Sequence, residues 1–336
     1  MSDESKEFKT NAFIIFSHIY VHLLSPYPSR LKTPPLFVAL QGPQGSGKTS
    51  LSQRVTEMLS EDNGDHAPIR VASLSVDDLY LPHTQLKALA AAHPNNPFLR
   101  GRGLPGTHDI TLGLSLFRSL KNINLSQTNE IRIPRFDKSL FDGEGDRLPE
   151  SEWTSVQGPL DVVLLEGWCV GFYPQSRRYI EERINEVPFG LDGMFDTSAY
   201  SLEHVFDANE RLAEYTQWWD LFDICVQISP QPMNPFVPIY KWRLEQEHEM
   251  KAKNDGQGMT DEQVKMFVDR YIPGYHFFLG GVTTGGYDQR TGSRLIPPWL
   301  QDEPSPPSWK HPPARCLRMI IDQNRRTREI AYCRRE

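Results

Sequence analysis

The feature that most constrains this 336-residue chain is the run "VALQGPQGSGKTSL" at residues 38–51. It satisfies the spacing G-x-x-x-x-G-K-[ST] through Gly42, Gly47, Lys48 and Thr49, with Gly45 between them. Glycines at this density let consecutive backbone N–H groups turn inward around an anion, and a helix N-terminus adds about half a positive charge at the same spot. The flanks decide between this reading and a glycine-rich turn that merely contains a lysine. Upstream, "PLFVALQG" is a short apolar run ending in a turn, as a buried parallel strand reads; downstream, Leu51, Val55, Met58 and Leu59 recur at helical spacing. Strand, loop and helix thus come in the order a phosphate cradle requires. Gly42, Pro43, Gln44, Gly45, Ser46, Gly47, Lys48, Thr49 and Ser50 are the expected nucleotide-binding residues. Lys48 is expected to reach the β- and γ-phosphates of ATP, and the Thr49 hydroxyl to ligate Mg²⁺.

The formal net charge is -7 and the sequence pI about 5.8, which gives no general attraction to nucleic acid or to an anionic membrane. Cys169, Cys225, Cys316 and Cys333 are scattered and form no CxxC pair, a pattern that fits a reducing compartment and argues against zinc. No segment is long and apolar enough to span a bilayer, and "MSDESKEFKT" carries early acids instead of a basic leader. The expected location is the cytosol, with nuclear access left open. "NAFIIFSHIYVHLLSPYPSR" is expected to form an amphipathic helix packed on the core, because His18, His22 and Pro26 interrupt its apolar character.

Coarse periodicity predicts a helix near 6–24, a strand near 36–41 and a helix to about residue 59. "IRVASLSVDDLY", "DVVLLEGW" and "LFDICVQIS" read as further buried strands, and "LRMIID" as a final one; "THDITLGLSLFRSL" reads as a capped helix. Residues 280–315, rich in Gly and Pro, read as an ordered surface excursion. Strands alternating with helices predict an α/β fold: a doubly wound, mostly parallel sheet with flanking helices, in which ligands sit at the carboxyl ends of the strands. The expected organisation is an N-terminal helical extension over 1–35 and one domain over 36–336.

Two strands end in acids at that edge. Glu166 in "LLEG" is an expected metal ligand, direct or through water, although a strand-end acid can also be a simple cap. Asp77 and Asp78 follow "SLSV", so the two-residue period of a strand sends one toward the nucleotide and the other away. Transfer of a phosphoryl group to an alcohol needs a group that orients the hydroxyl and takes its proton. Asp77 is the expected base and an expected contributor to the metal site, with Asp78 in a supporting or metal role; both could instead cap the loop that follows.

At this point the chain resembles a known group. "SVDDLY" is similar to the second-strand motif S-x-D-x-[FL]-Y of the uridine kinase, phosphoribulokinase and bacterial pantothenate kinase superfamily, and Asp77 stands where that motif carries the catalytic aspartate. "RGRGLPGTHDI", "IPRFDKSLFDGEGDR", "LLEGWCVGF" and "WRLEQEHEMKAKNDGQGMTDEQVKMFVDRYIPGY" narrow the resemblance to the plant-type D-glycerate 3-kinases and their fungal cytosolic relatives, from about residue 36 onward. The resemblance implies the P-loop NTPase fold, Mg-ATP as phosphoryl donor and D-glycerate as leading acceptor.

The residues themselves suit a small polar or anionic acceptor. Arg100, Arg102 and His108 lie on a Gly-Pro loop, and "PRFDKS" adds Arg135, Asp137 and Lys138. Arginine binds a carboxylate through two parallel hydrogen bonds, so Arg102 and Arg135 are the expected carboxylate ligands, with His108, Asp78 and Tyr80 beside them. Each single arginine is equally readable as a surface ion pair. The superfamily resemblance further implies a helical lid at about 236–272 that supplies a cation to the developing charge; Arg243 is preferred over Lys251. Two rival readings stay open: a nucleoside or sugar-type kinase, for which Tyr80, Phe98 or Phe136 would stack on a base, and a non-catalytic ATP-binding regulator.

Overall fold

The computed structural model describes residues 3–24, 34–62, 68–125, 130–253, 256–301 and 314–334. Its main elements are α1 (Asp3–Leu23), β1 (Leu36–Gln41), α2 (Lys48–Ser60), β2 (Val71–Ser75), α3 (Ile110–Lys121), β3 (Val162–Gly167), α4 (Leu202–Trp219), β4 (Ile224–Pro230), α5 (Val237–Lys253), α6 (Asp261–Asp269), β5 (Cys316–Ile321) and β6 (Thr327–Cys333). The six strands form one sheet in the order β6-β5-β4-β1-β3-β2. All neighbours pair in parallel except β6, which returns antiparallel to β5 at the edge. The fold is therefore the α/β, mostly parallel sheet flanked by helices that the strand and helix pattern implies.

Near-continuous apolar strands explain the layering, because a strand buried on both faces needs apolar residues at odd and even positions alike. On one face Val38, Leu40, Leu164 and Val226 pack with Leu51, Val55 and Leu59 of α2 and with Ala12, Ile15 and Ile19 of α1. On the other, Phe37, Ala39, Leu165 and Cys225 pack with Phe117 and Leu120 of α3 and Leu212, Trp218 and Trp219 of α4. Trp218, Trp219 and Trp242 are fully buried and act in packing.

Three local expectations are revised. The strand expected to end in the paired carboxylates Asp77 and Asp78 stops at Ser75, and Val76–Leu79 forms a 3₁₀ turn whose start is fixed by Asp77 N–H donating to Ser75 Oγ at 3.3 Å. "LRMIID" is not the last strand, since β6 follows it after a tight turn. The 280–315 excursion holds a short hairpin, Gly286–Tyr287 with Arg294–Leu295, and buries Trp299; residues 302–313 of it lie outside the described residues. Among the described residues no helix is long and apolar enough to cross a membrane.

Helix α1 brings two titratable groups into the core. His18 and His22 are 3% and 8% exposed, with ring centroids 4.8 Å apart. Burial, aided by the neighbouring His22, lowers His18 to about 3; burial, aided by Arg315, lowers His22 to about 4. The unfolded chain binds these protons near pH 6.5, while the folded protein refuses them until well below. Their contribution is thus complete above pH 6.5 and is lost as pH falls toward 4 and 3, at about 1.4 kcal/mol per pH unit for each ring. The urea midpoint is expected to drop between pH 7.5 and pH 5, and less steeply in a His18→Leu/His22→Leu protein. Equal slopes in the two proteins would remove the pair as a cause.

Candidate active site

The parallel register sets the site. β1 pairs Leu40 with Glu166 and Gln41 with Gly167, and β2 pairs Ser75 with the same Glu166. The phosphate loop, Glu166 and the turn bearing Asp77 therefore emerge side by side at the carboxyl edge. Gly42 N–H donates to Gly167 O at 3.3 Å, and Ser46 N–H to Pro43 O at 3.2 Å, which folds the loop back toward α2. Gly45 and Gly47 have φ of 71° and 85°, left-handed values that disfavour side chains. At Gly45 space forbids one as well: a Cβ would lie 2.5 Å from Trp242 Cβ on α5. Gly47 caps α2 with no side-chain hydrogen bond, so the first amides of that helix remain available to an anion.

The loop is held from outside. Gln44 N–H donates to Tyr275 Oη at 3.1 Å, and Arg325 Nε–H donates to Gly45 O at 2.8 Å. Arg325 sits at the tip between β5 and β6 with φ 61°, paired to Glu245 at 2.9 Å, and its carbonyl accepts from Asn11 Nδ2 on α1 at 2.8 Å. The segment "DQNRRTREI" thus braces the phosphate loop, a role its charged sequence does not disclose.

Thr49 Oγ1 donates to Glu166 Oε1 at 3.1 Å, while Glu166 Oε2 is buried. Among the described residues, Glu166 Oε2, Asp77 Oδ1, Ser46 Oγ and His108 Nε2 are buried polar atoms without a hydrogen-bond partner. Leaving such atoms unpaired costs about 1–3 kcal/mol each. Their gathering at the carboxyl edge marks the place where a polar ligand would satisfy them.

Asp77 and Asp78 diverge because they stand on a 3₁₀ turn, where neighbours fan apart, and not because of a strand period. Asp77 Oδ2 lies 2.5 Å from Lys138 Nζ. Burial raises the Asp77 pKa, but the charges of Lys138 and then Lys48 outweigh it and hold the carboxyl at about 2. Asp78 accepts from Phe136 N–H at 3.0 Å; burial and the Asp77 charge push it up to about 6 in spite of that bond. Tyr80 is buried and stacked on His108 at 4.2 Å, while Phe98 and Phe136 are core residues. Tyr215 Oη accepts from Gly106 N–H at 3.0 Å and lies 2.8 Å from His108 Nδ1. Donation from Tyr215 to Nδ1 leaves the imidazole hydrogen on Nε2. Burial, opposed by the Asp77 charge, lowers His108 to about 3 and keeps it neutral.

The expected carboxylate ligands lie apart from one another in their bonding. Arg102 donates to the carbonyls of Gly143 and Glu144 and covers the Phe136 ring, whereas Arg135 is exposed. Arg100 donates to Pro94 O at 3.1 Å. Arg243 pairs at 2.7 Å with Glu247, itself fully buried, and lies over the Phe267 ring. Lys138, named in the sequence only beside Arg135, meets Asp77, and Arg147 donates to Asp109 Oδ2 at 3.0 Å and to Tyr80 O at 2.6 Å, tying the "FDKSLFDGEGDR" hairpin to the segments that carry Tyr80 and Asp109.

No family model matches the chain. A solved D-glycerate 3-kinase from Cryptococcus neoformans superposes with a TM-score of 0.75 at 36% identity, covering 97% of this chain and 98% of that one. The chain belongs to the D-glycerate 3-kinase family. The Saccharomyces cerevisiae protein named Probable ATP-dependent kinase TDA10 is 37% identical over 73% of this chain and 78% of its own length. The chloroplastic D-glycerate 3-kinase of Arabidopsis thaliana is 32% identical over 81% of this chain and 54% of its own length.

Within this kinase family member the Arg325 brace has a measurable consequence. Arg325→Asn keeps a residue that tolerates the left-handed backbone but removes the guanidinium. Loss of one charged hydrogen bond to the phosphate loop is expected to weaken ADP binding about tenfold by calorimetry. An unchanged dissociation constant would show that the loop holds its shape without the brace.

Proposed function

We propose that the chain transfers the γ-phosphoryl group of Mg-ATP to a hydroxyl of D-glycerate or a closely similar small hydroxy acid. The observation that carries this reading is Asp77: a carboxylate with one buried, unpartnered oxygen, lying within the charge field of Lys48 on the phosphate loop. A nucleotide-gated regulator has no use for such a base. The acceptor is suggested by the relatives named D-glycerate 3-kinase.

In this reading the loop amides and Lys48 hold the β- and γ-phosphates, and Asp77 orients the acceptor hydroxyl and takes its proton. The acceptor oxygen forms a bond to the γ-phosphorus as the bond from that phosphorus to the β–γ bridging oxygen breaks, and ADP leaves. Thr49 Oγ1 and Glu166 fit Mg²⁺, since both offer oxygen and Glu166 Oε2 is buried without a partner; Asp77 Oδ1 is a further donor. When bound, Mg²⁺ would neutralise charge on the phosphate oxygens. Neutral His108, with its hydrogen on Nε2, donates to the acceptor beside Tyr80 and Asp78, and Arg102 and Arg135 supply positive potential. Helices α5 and α6, with Arg243, act as the lid that excludes water; residues 254 and 255 between them lie outside the described residues.

Coupled ADP release with Mg-ATP, comparing D-glycerate, uridine, ribulose 5-phosphate and pantothenate with an acceptor-free blank, tests this directly. Release is expected with D-glycerate and is expected to fall by about 10²–10⁴ in Asp77→Asn. Nucleotide binding without release above the blank for any acceptor would sink the glycerate reading.

A further inference from the structure

The arrangement around Asp77 contains a conflict. The carboxylate proposed to receive a proton is already occupied by Lys138 at 2.5 Å. So long as that ammonium stays, Asp77 Oδ2 is taken, and an acceptor hydroxyl cannot reach it to hand over its proton.

Two lysines act on Asp77: Lys48 belongs to the phosphate loop, whereas Lys138, which also feels the charge of Glu166, comes from the hairpin bonded to Asp78. The neighbouring guanidinium groups have other partners: Arg102 on two carbonyls of the hairpin, Arg147 on Asp109 and Tyr80 O, and Arg270 on Arg100 O at 2.7 Å. Lys138 differs from them in being open to solvent, with 54% of its side chain exposed against 24% for Asp77. Its backbone is not loose. The hairpin that carries it is tied by Phe136 N–H to Asp78 and by Arg147, and its far end is tied through Glu144 to His83 at 2.6 Å and to Lys87 at 3.1 Å. A fixed backbone with an exposed, flexible side chain lets the ammonium move by a few ångströms while its origin stays put.

We propose that Lys138 is the residue that reads the carboxylate of the acceptor, and that the Lys138–Asp77 pair is its resting position. This rests on the reading of Asp77 as base in a hydroxy-acid kinase. An arriving carboxylate draws the ammonium away from Asp77 Oδ2, and that oxygen is released to the hydroxyl of the same molecule. The hydroxyl and the carboxylate must then lie only a few carbons apart, so the acceptor class is a short hydroxy acid. A neutral alcohol or water offers no charge to draw Lys138 off, so the base stays occupied for both. Acceptor charge and base release are thereby one event, which disfavours transfer to water as well as to uncharged polyols.

The test compares D-glycerate with glycerol, which keeps the hydroxyls and lacks the carboxylate, in wild type, Lys138→Met and Lys138→Arg, with the fold of each checked by thermal unfolding. Lys138→Met is expected to lose about a hundredfold in kcat/KM for D-glycerate, chiefly through KM, while the KM for Mg-ATP stays near wild type and the slow turnover of glycerol and of water rises, because Asp77 is no longer occupied. Lys138→Arg is expected to recover part of the D-glycerate KM. If Lys138→Met keeps the wild-type KM for D-glycerate, or loses D-glycerate and glycerol equally, Lys138 does not read the carboxylate even though the kinase reading stands. If the wild type turns over no D-glycerate at all, the functional reading falls and the assignment of Lys138 falls with it.

Discussion

The parallel pairing of β1 with β3 is the constraint on which the rest of the site depends. Its register places Gln41 against Gly167, lets Gly42 N–H donate to Gly167 O and brings Glu166 to Thr49, so the phosphate loop and the acid beside it are fixed by one strand pairing. A slip of two residues would keep every apolar side chain on its face and still separate the loop from the acid. The fully buried apolar strands on either side resist such a slip, because the chain on both faces of β1 is packed by helices.

Around this frame the loops that carry Arg102, Asp109 and Lys138 are joined by polar ties as well as by the packing of Tyr80 on His108 and Phe136. Arg147 reaches Asp109 and Tyr80 O, Arg102 reaches two carbonyls of the hairpin, and Arg270 reaches Arg100 O. Guanidinium groups suit this work because their several donors meet scattered carbonyl acceptors at once. The result is a loop cluster whose backbone is fixed while its charged tips stay near solvent, which is the combination a small anionic ligand needs.

The phosphate loop, the order of the core strands and the Asp109 cap of α3 are legible in the sequence because each is a local pattern: a spacing, a period, a cap three residues before its amide. The 3₁₀ turn at Asp77 is not, since "SLSVDDLY" continues a strand-like alternation past the point where Ser75 captures the Asp77 amide. Strand β6 is hidden by its charges, as a half-exposed edge strand carries no clean alternation. Lys138 and Arg102 mark a different limit. Residue type names what a side chain can bind, but backbone carbonyls compete for guanidinium groups as well as carboxylates do, and only the folded chain shows that Arg102 is taken while Lys138 rests on Asp77.

Asn11 near the beginning of the chain and Arg325 near its end meet at the phosphate loop, with Gly45 between them in sequence. During synthesis the loop and the strands that frame it emerge long before the residue that braces them. A nascent or truncated chain can therefore assemble much of the sheet and still present a slack cradle. Firm retention of nucleotide then depends on β5 and β6 having joined the sheet, and ligand binding reports that they have.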